Sequence, residues 1–210
     1  MKRLFEFDDD ENKNKLAERI AENCYHQYDQ LISGGKPSNN QWTHLAGFVS
    51  VDKDEHIEVL SLGTGTKCLG GQIEERGQNG CLLHDSHAEV IARRALLRLF
   101  YEEILSKKMH LFIRNENHYD FNPLLKLYFF VSSPPCGLAS HRSNPMKKPK
   151  FEHKILKSEE TDEELFLKPG KGSATQSLSC TDKIKRWIFQ GLFFVVFFYL
   201  KNSIDDWFIS

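Results

Sequence analysis

Four side chains stand out for what their types can do. His87 can ligate a metal, Glu89 two residues on can move a proton, and Cys136 and Cys180 offer thiolates. One imidazole and two thiolates around zinc leave a tetrahedral position open for water, whose pKa the metal lowers to ~7. A carboxylate next to a ligand could pass that water's proton to a substrate atom. Each residue also has a plainer reading. Ser86 and Glu89 form a Ser-x-x-Glu capping box, so Glu89 could simply close a helix start and His87 could bond backbone there. Cys136 could be an inert buried thiol. Cys180 stands at no recognised spacing from Cys136. Cys81 or His84 could add a fourth ligand and make the site purely structural. Arg93 and Arg94 follow within two turns, where they could pair with Glu102 or Glu103 on later turns.

Positioning these groups requires particular elements. Val90, Ile91, Leu96, Leu97, Phe100 and Ile104 recur at helical spacing, which predicts a helix whose first turn carries His87 and Glu89 and which ends near Leu105. His44 to Val51 and His56 to Leu62 read as two strands joined at Asp52 to Glu55, a hairpin. Leu125 to Ser132 reads as a buried strand that delivers Cys136 after Ser133-Pro134-Pro135, with a helix start beside the thiol. Leu16, Ile20, Cys24 and Leu31 suggest a short amphipathic helix. Ser33 to Asn40 and Gly70 to Gly80 read as loops. The polar, Lys- and Glu-rich stretch from Ser143 to Lys171 is expected to be mobile. Strands and helices alternate, so the expected class is α/β, with the metal at strand and helix ends.

A His-x-Glu followed by Pro-Cys is the signature of zinc nucleobase deaminases, in which the His ligates and the Glu is the general acid/base. Pro135-Cys136 supplies its second part, but Ala139 stands where a second local cysteine would complete it. Four segments in order carry a more specific likeness: Gly63-Thr64-Gly65-Thr66-Lys67-Cys68, Asp85 to Arg94, Pro135-Cys136-Gly137, and Ser179-Cys180-Thr181-Asp182-Lys183-Ile184-Lys185-Arg186-Trp187. Together they resemble the RNA adenosine deaminase (editase) family, and most of all its tRNA-specific members that make inosine next to the anticodon of alanine tRNA. The resemblance implies a cytidine-deaminase-like fold of α/β/α layers, zinc on His87, Cys136 and Cys180, and Glu89 as the catalytic acid/base. It implies further that Arg93, Arg94, Lys183 and Arg186 hold a buried inositol hexakisphosphate, with Lys67 near the active site. An exposed loop lysine is the plainer reading of Lys67. His84, Leu138 and Ile188 depart from the family pattern, at supporting positions rather than ligands.

The resemblance runs from Leu16 to Trp187, giving a partial deaminase domain over 16–187. Before it, 1–15 reads as a flexible acidic tail. After it, 188–210 is an atypical apolar tail, expected to mark a truncated or mispredicted gene product. Within that tail, the run Gly191 to Leu200 is shorter than the ~20 residues a spanning helix needs, and a buried strand is its bland alternative. A net charge of −1 provides no global basic field, so RNA contact would need a local patch. Five cysteines at irregular spacing argue against a secreted disulfide framework, and the first residues lack a signal-peptide core, pointing to an intracellular protein. The expectation is therefore a zinc-dependent hydrolase that deaminates adenosine in tRNA. Its partner is tRNA, with neither membrane nor DNA. Rival readings are a cytidine or nucleoside deaminase and a non-catalytic zinc- or RNA-binding fragment.

Overall fold

The structure is a computed structural model describing residues 10–32, 36–38, 40–70, 82–143, 155–157, 164–168 and 175–191. Strand β1 (Leu45–Val51) is buried along all seven residues, as a strand covered on both faces must be. It pairs antiparallel with β2 (Ile57–Thr64) on one side, as the predicted hairpin, and with β7 (Lys126–Val131) on the other. Alternation along β1 sends Leu45, Val49 and Val51 to one face, where they meet Ile20 and Cys24 of helix α1 (Asp10–Gln30). Ala46 and Phe48 face the other way, onto Ala88, Ala92, Leu96, Phe100 and Ile104 of helix α2 (Ala88–Ser106). Helix, sheet and helix thus form the expected α/β/α layers.

Short pairs complete the frame. β3 (Thr66–Cys68) runs against β4 (Asp85–His87), and β5 (Phe112–Arg114) against β6 (Tyr119–Phe121). β8 (Ile155–Lys157) pairs with β9 (Glu164–Phe166). Helix α3 (Leu138–Ser143) follows Cys136, and helix α4 (Cys180–Gln190) begins on Cys180.

Several expectations are corrected. The first helix starts at Asp10, so residues 10–15 of the presumed flexible acidic tail are helical, helped by a Lys15–Glu11 pair at 3.0 Å, and Leu31 lies past its end. β7 is half-buried rather than buried, because only β1 flanks it among the described residues. The stretch expected to be mobile contributes β8, β9 and a buried lysine, Lys168. Of the atypical tail, residues 188–190 continue α4; residues 192–210, with the apolar run, lie outside the described residues, as do 1–9 and 71–81, where the Gly70–Gly80 loop is expected. Among the described residues no helix is long and apolar enough to cross a membrane.

Candidate metal centre

His87 is placed by strand pairing. The β3–β4 register sets Thr66 opposite His87, Lys67 opposite Ser86 and Cys68 opposite Asp85. The turn before β3 needs Gly65, whose φ is +135° and whose added Cβ would lie 2.1 Å from the Ser86 carbonyl oxygen. Gly65 in turn accepts the Ala88 N–H at 3.0 Å. Helix α2 begins after this bond, with His87 as its N-cap residue and no side-chain cap. The Ser86–Glu89 capping box is therefore not formed: strand pairing holds Ser86 one residue too early to be the cap. Glu89 is the second helical residue and is buried.

Cys136 and Cys180 are brought together by tertiary contacts alone. Thr181 donates its N–H to the Cys136 carbonyl at 3.0 Å, and its hydroxyl bridges toward the Pro135 and Cys136 carbonyls. The Cys180 N–H donates to the Cys136 sulfur at 3.2 Å. Gly137 permits this approach, since its φ is +102° and an added Cβ would stand 2.3 Å from Ser179 Oγ. Ser179 caps α4, accepting the Asp182 N–H and donating to the Asp182 carboxylate at 2.6 Å. The helix start expected beside Cys136 is α3, of only six residues, and the donor that reaches its sulfur belongs to Cys180.

Nδ1 of His87 lies 3.8 Å from Cys136 Sγ and 3.5 Å from Cys180 Sγ, and the three ligand atoms all fall within 4.8 Å of one another. Tetrahedral zinc with ordinary Zn–N and Zn–S bonds would set N and S ~3.6 Å apart. The residues therefore fit zinc, the donor set being one borderline nitrogen and two soft sulfurs. His84 is exposed and outside this cluster, and Cys81 lies outside the described residues, so nothing described here closes a fourth position.

A charged network lies against the ligands. Asp85, buried, accepts from the Lys168 ammonium at 2.6 Å, from the Lys183 ammonium, and from the Ser177 hydroxyl at 3.1 Å. Its other oxygen accepts the His87 N–H at 3.1 Å. Burial alone would push this carboxyl up; the Lys168 charge and the hydrogen bonds from Lys168, Lys183 and His87 outweigh it and hold Asp85 well below the carboxylate range. Burial would lower Lys168, but the neighbouring Cys180, Cys136 and Asp85 charges raise it. In the thiol pair, Cys136 is lowered by its hydrogen bond from Cys180, against burial, with help from His87 and the Lys168 charge. Cys180 is pushed up by the same bond, by burial and by the Cys136 charge, and the Glu89 carboxylate adds to this. Glu89 is thus within electrostatic reach of the ligand cluster.

The predicted anion-binding residues are not all equivalent. Arg93 lies over the Trp187 ring at 5.3 Å, and burial and the Arg94 charge both lower its pKa. Arg94 donates to the Asp85 carbonyl at 3.3 Å, Lys183 is committed to Asp85, and Arg186 is exposed. Neither glutamate suggested as a partner needs these arginines: Glu102 pairs with Arg98, and Glu103 accepts the Leu111 N–H. Lys67 is exposed on β3, and Leu138 is exposed at the start of α3. Sequence reasoning missed Lys168, Ser177 and Asp182. The one available signal was Leu165-Phe166-Leu167 just before Lys168-Pro169-Gly170, a short apolar run ended by a turn inside a charged stretch.

Comparison with known proteins agrees with this geometry. The profile of the adenosine-deaminase (editase) domain matches residues 61–193. The tRNA-specific adenosine deaminase 1 of Drosophila melanogaster is 35% identical over 198 residues, covering 84% of this chain and 50% of that protein. Its Schizosaccharomyces pombe counterpart is 33% identical over 204 residues, covering 85% and 52%. The double-stranded RNA-specific editase Adar of Drosophila melanogaster is 26% identical over 207 residues, covering 84% and 30%. The chain spans about half the length of the first two relatives. Since the profile covers more than half of its residues, including all three members of the His–Cys–Cys cluster, the chain belongs to the adenosine-deaminase (editase) domain family.

Proposed function

We propose that this chain carries the zinc site of an enzyme that hydrolyses adenosine to inosine in tRNA, next to the anticodon of alanine tRNA. The observation that carries the reading is the convergence of His87, Cys136 and Cys180 within 4.8 Å, with buried Glu89 two residues from His87. Zinc held by these three residues would supply a Lewis acid with a position for water. Glu89 takes a proton from the water that adds to C6 of the adenine and gives one to N1. It then takes the remaining proton from the C6 hydroxyl and gives it to the amino group, so that C6=O forms as the C6–N bond breaks and ammonia leaves. Lys168, Asp85 and Ser177 keep His87 and Cys180 in register.

A polyanion fits the arginines only in part. Arg93 and Arg94 are crowded like charges that an inositol hexakisphosphate would relieve, and exposed Arg186 could join them. Lys183 already has Asp85 as its counter-charge and would support the site rather than need the ligand.

The test is zinc content together with inosine formation on alanine tRNA. Glu89→Gln is expected to keep zinc and to lose inosine formation by ~10²–10⁴-fold. His87→Ala or chelation is expected to remove zinc and activity together. Full activity of Glu89→Gln would remove the carboxylate from the mechanism. The rival reading, a non-catalytic zinc- and RNA-binding protein, predicts a different outcome. Bound zinc without turnover would select it.

A further inference from the structure

We propose that Trp42, braced by His44, is a stacking platform for an RNA nucleobase at the rim of the metal centre. The inference rests on the RNA-deaminase reading above and names a recognition element within it. Trp42 is 73% exposed, an unusual state for the largest apolar side chain, and its ring meets His44 edge-to-face at 5.1 Å and 84°. The pair precedes β1 directly, following a turn in which the Gln41 N–H donates to the Ser38 carbonyl at 2.8 Å.

Backbone bonds tie this short segment to both ligand-bearing elements. The His44 carbonyl accepts the Gly65 N–H at 3.3 Å, and the Gly65 carbonyl accepts the N–H of Ala88, the residue between His87 and Glu89. One residue on, Leu45 exchanges bonds with Ser132, its N–H donating to Ser132 Oγ at 2.9 Å and its carbonyl accepting the Ser132 N–H at 2.9 Å. Ser132 begins the short connection to Cys136. Trp42 is therefore two residues from a segment bonded to both the His87 and the Cys136 elements, with its indole against the His44 imidazole and open to solvent. A flipped base must leave its stack, and its neighbour along the strand loses a stacking partner. An exposed aromatic face replaces that partner without regard to base identity, because every base presents a π-face.

The experiment measures binding of a fluorescein-labelled tRNA anticodon stem–loop to the zinc-loaded chain by anisotropy, for wild type, Trp42→Ala and Trp42→Phe. Trp42→Ala is expected to weaken binding roughly 5- to 150-fold, the span of base–aromatic stacking, and Trp42→Phe to restore most of it. The slope of log Kd against log salt should not change, since no phosphate contact is removed. Zinc content and melting temperature should match wild type, as expected for an exposed side chain. Trp42→Ala binding within about twofold of wild type, or a loss that phenylalanine does not rescue, overturns the platform alone. Absence of RNA binding by the wild-type chain overturns the platform and the RNA-deaminase reading together. Trp42-dependent binding without inosine formation upholds the platform and removes only the catalytic reading.

Discussion

His87 and Cys180 reach the same point from regions held by different kinds of contact. The α2 helix beginning just after His87 buries Ala88, Ala92, Leu96, Phe100 and Ile104 against β1, a non-directional apolar contact whose strength scales with area. Cys180 opens a helix whose buried residues are only itself and Asp182, and whose Ile188 and Phe189 are exposed. Beyond one edge-on contact of Trp187 with Phe129 at 6.3 Å, the bonds of its first turn are polar. The Ser179 N–H donates to the Phe166 carbonyl at 2.7 Å, the Phe166 N–H to the Asp182 carboxylate at 2.9 Å, and Lys168 and Ser177 reach Asp85. Apolar contacts lose stability in proportion to the atoms removed. A buried polar network fails abruptly, because deleting one partner strands the others.

The largest difference should appear at Asp85. Asp85→Asn leaves the buried Lys168 ammonium without its carboxylate and is expected to cost about 3–5 kcal/mol in urea unfolding. Adding Lys168→Met should recover at least half of that. A double variant no better than the single one would show that the ion pair does not hold the Cys180 region.

Titration should separate the regions next. Cys24, inside the α1–β1 layer, has its thiol pushed up to about 11 by burial. A group raised in the folded state adds stability below its unfolded pKa and loses it as pH rises through the folded one. Loss of about 2–3 kcal/mol is expected between roughly pH 8.5 and 11. Cys24→Val should flatten this alkaline limb. Asp85 has the opposite sign: depressed in the folded state, it contributes above the unfolded carboxyl pKa of ~3.9, and that contribution falls away as acid takes the pH down toward its lower native value. Stability curves of both variants against wild type check the assignment. An alkaline limb that survives Cys24→Val would reject it.

Gly137→Ala gives the smallest effect, at the seam between the regions. With φ at +102° and Ser179 Oγ 2.3 Å from the new Cβ, a loss of about 1–2 kcal/mol is expected, together with weaker zinc retention, both readable by thermal melts with and without chelator. A neutral result would mean that the Ser179 cap moves freely without disturbing Cys180.

Period and local motif made one side of the molecule legible from the chain alone. The apolar run in Leu45–Val51 and helical spacing from Val90 to Ile104 announced the layers, because a strand covered on both faces and a helix covered on one leave that burial in the residues themselves. His87, Glu89 and Cys136 could be named for a similar reason: each sits at the end of an element whose pattern is local. The helix start was misplaced by one residue, since pairing of β4 with β3 overrode the capping signal at Ser86.

What only the tertiary structure decided was the other side. Lys168 looks like one more charge in a polar stretch until Asp85, eighty-three residues away, accepts its proton-bearing nitrogen. Nothing local distinguishes a lysine that will be buried from one that will be solvated, because the energy that buries it resides in a partner distant along the chain. Cys180 shares that dependence: its nearness to His87 is a property of the folded chain, and no spacing in the sequence encodes it.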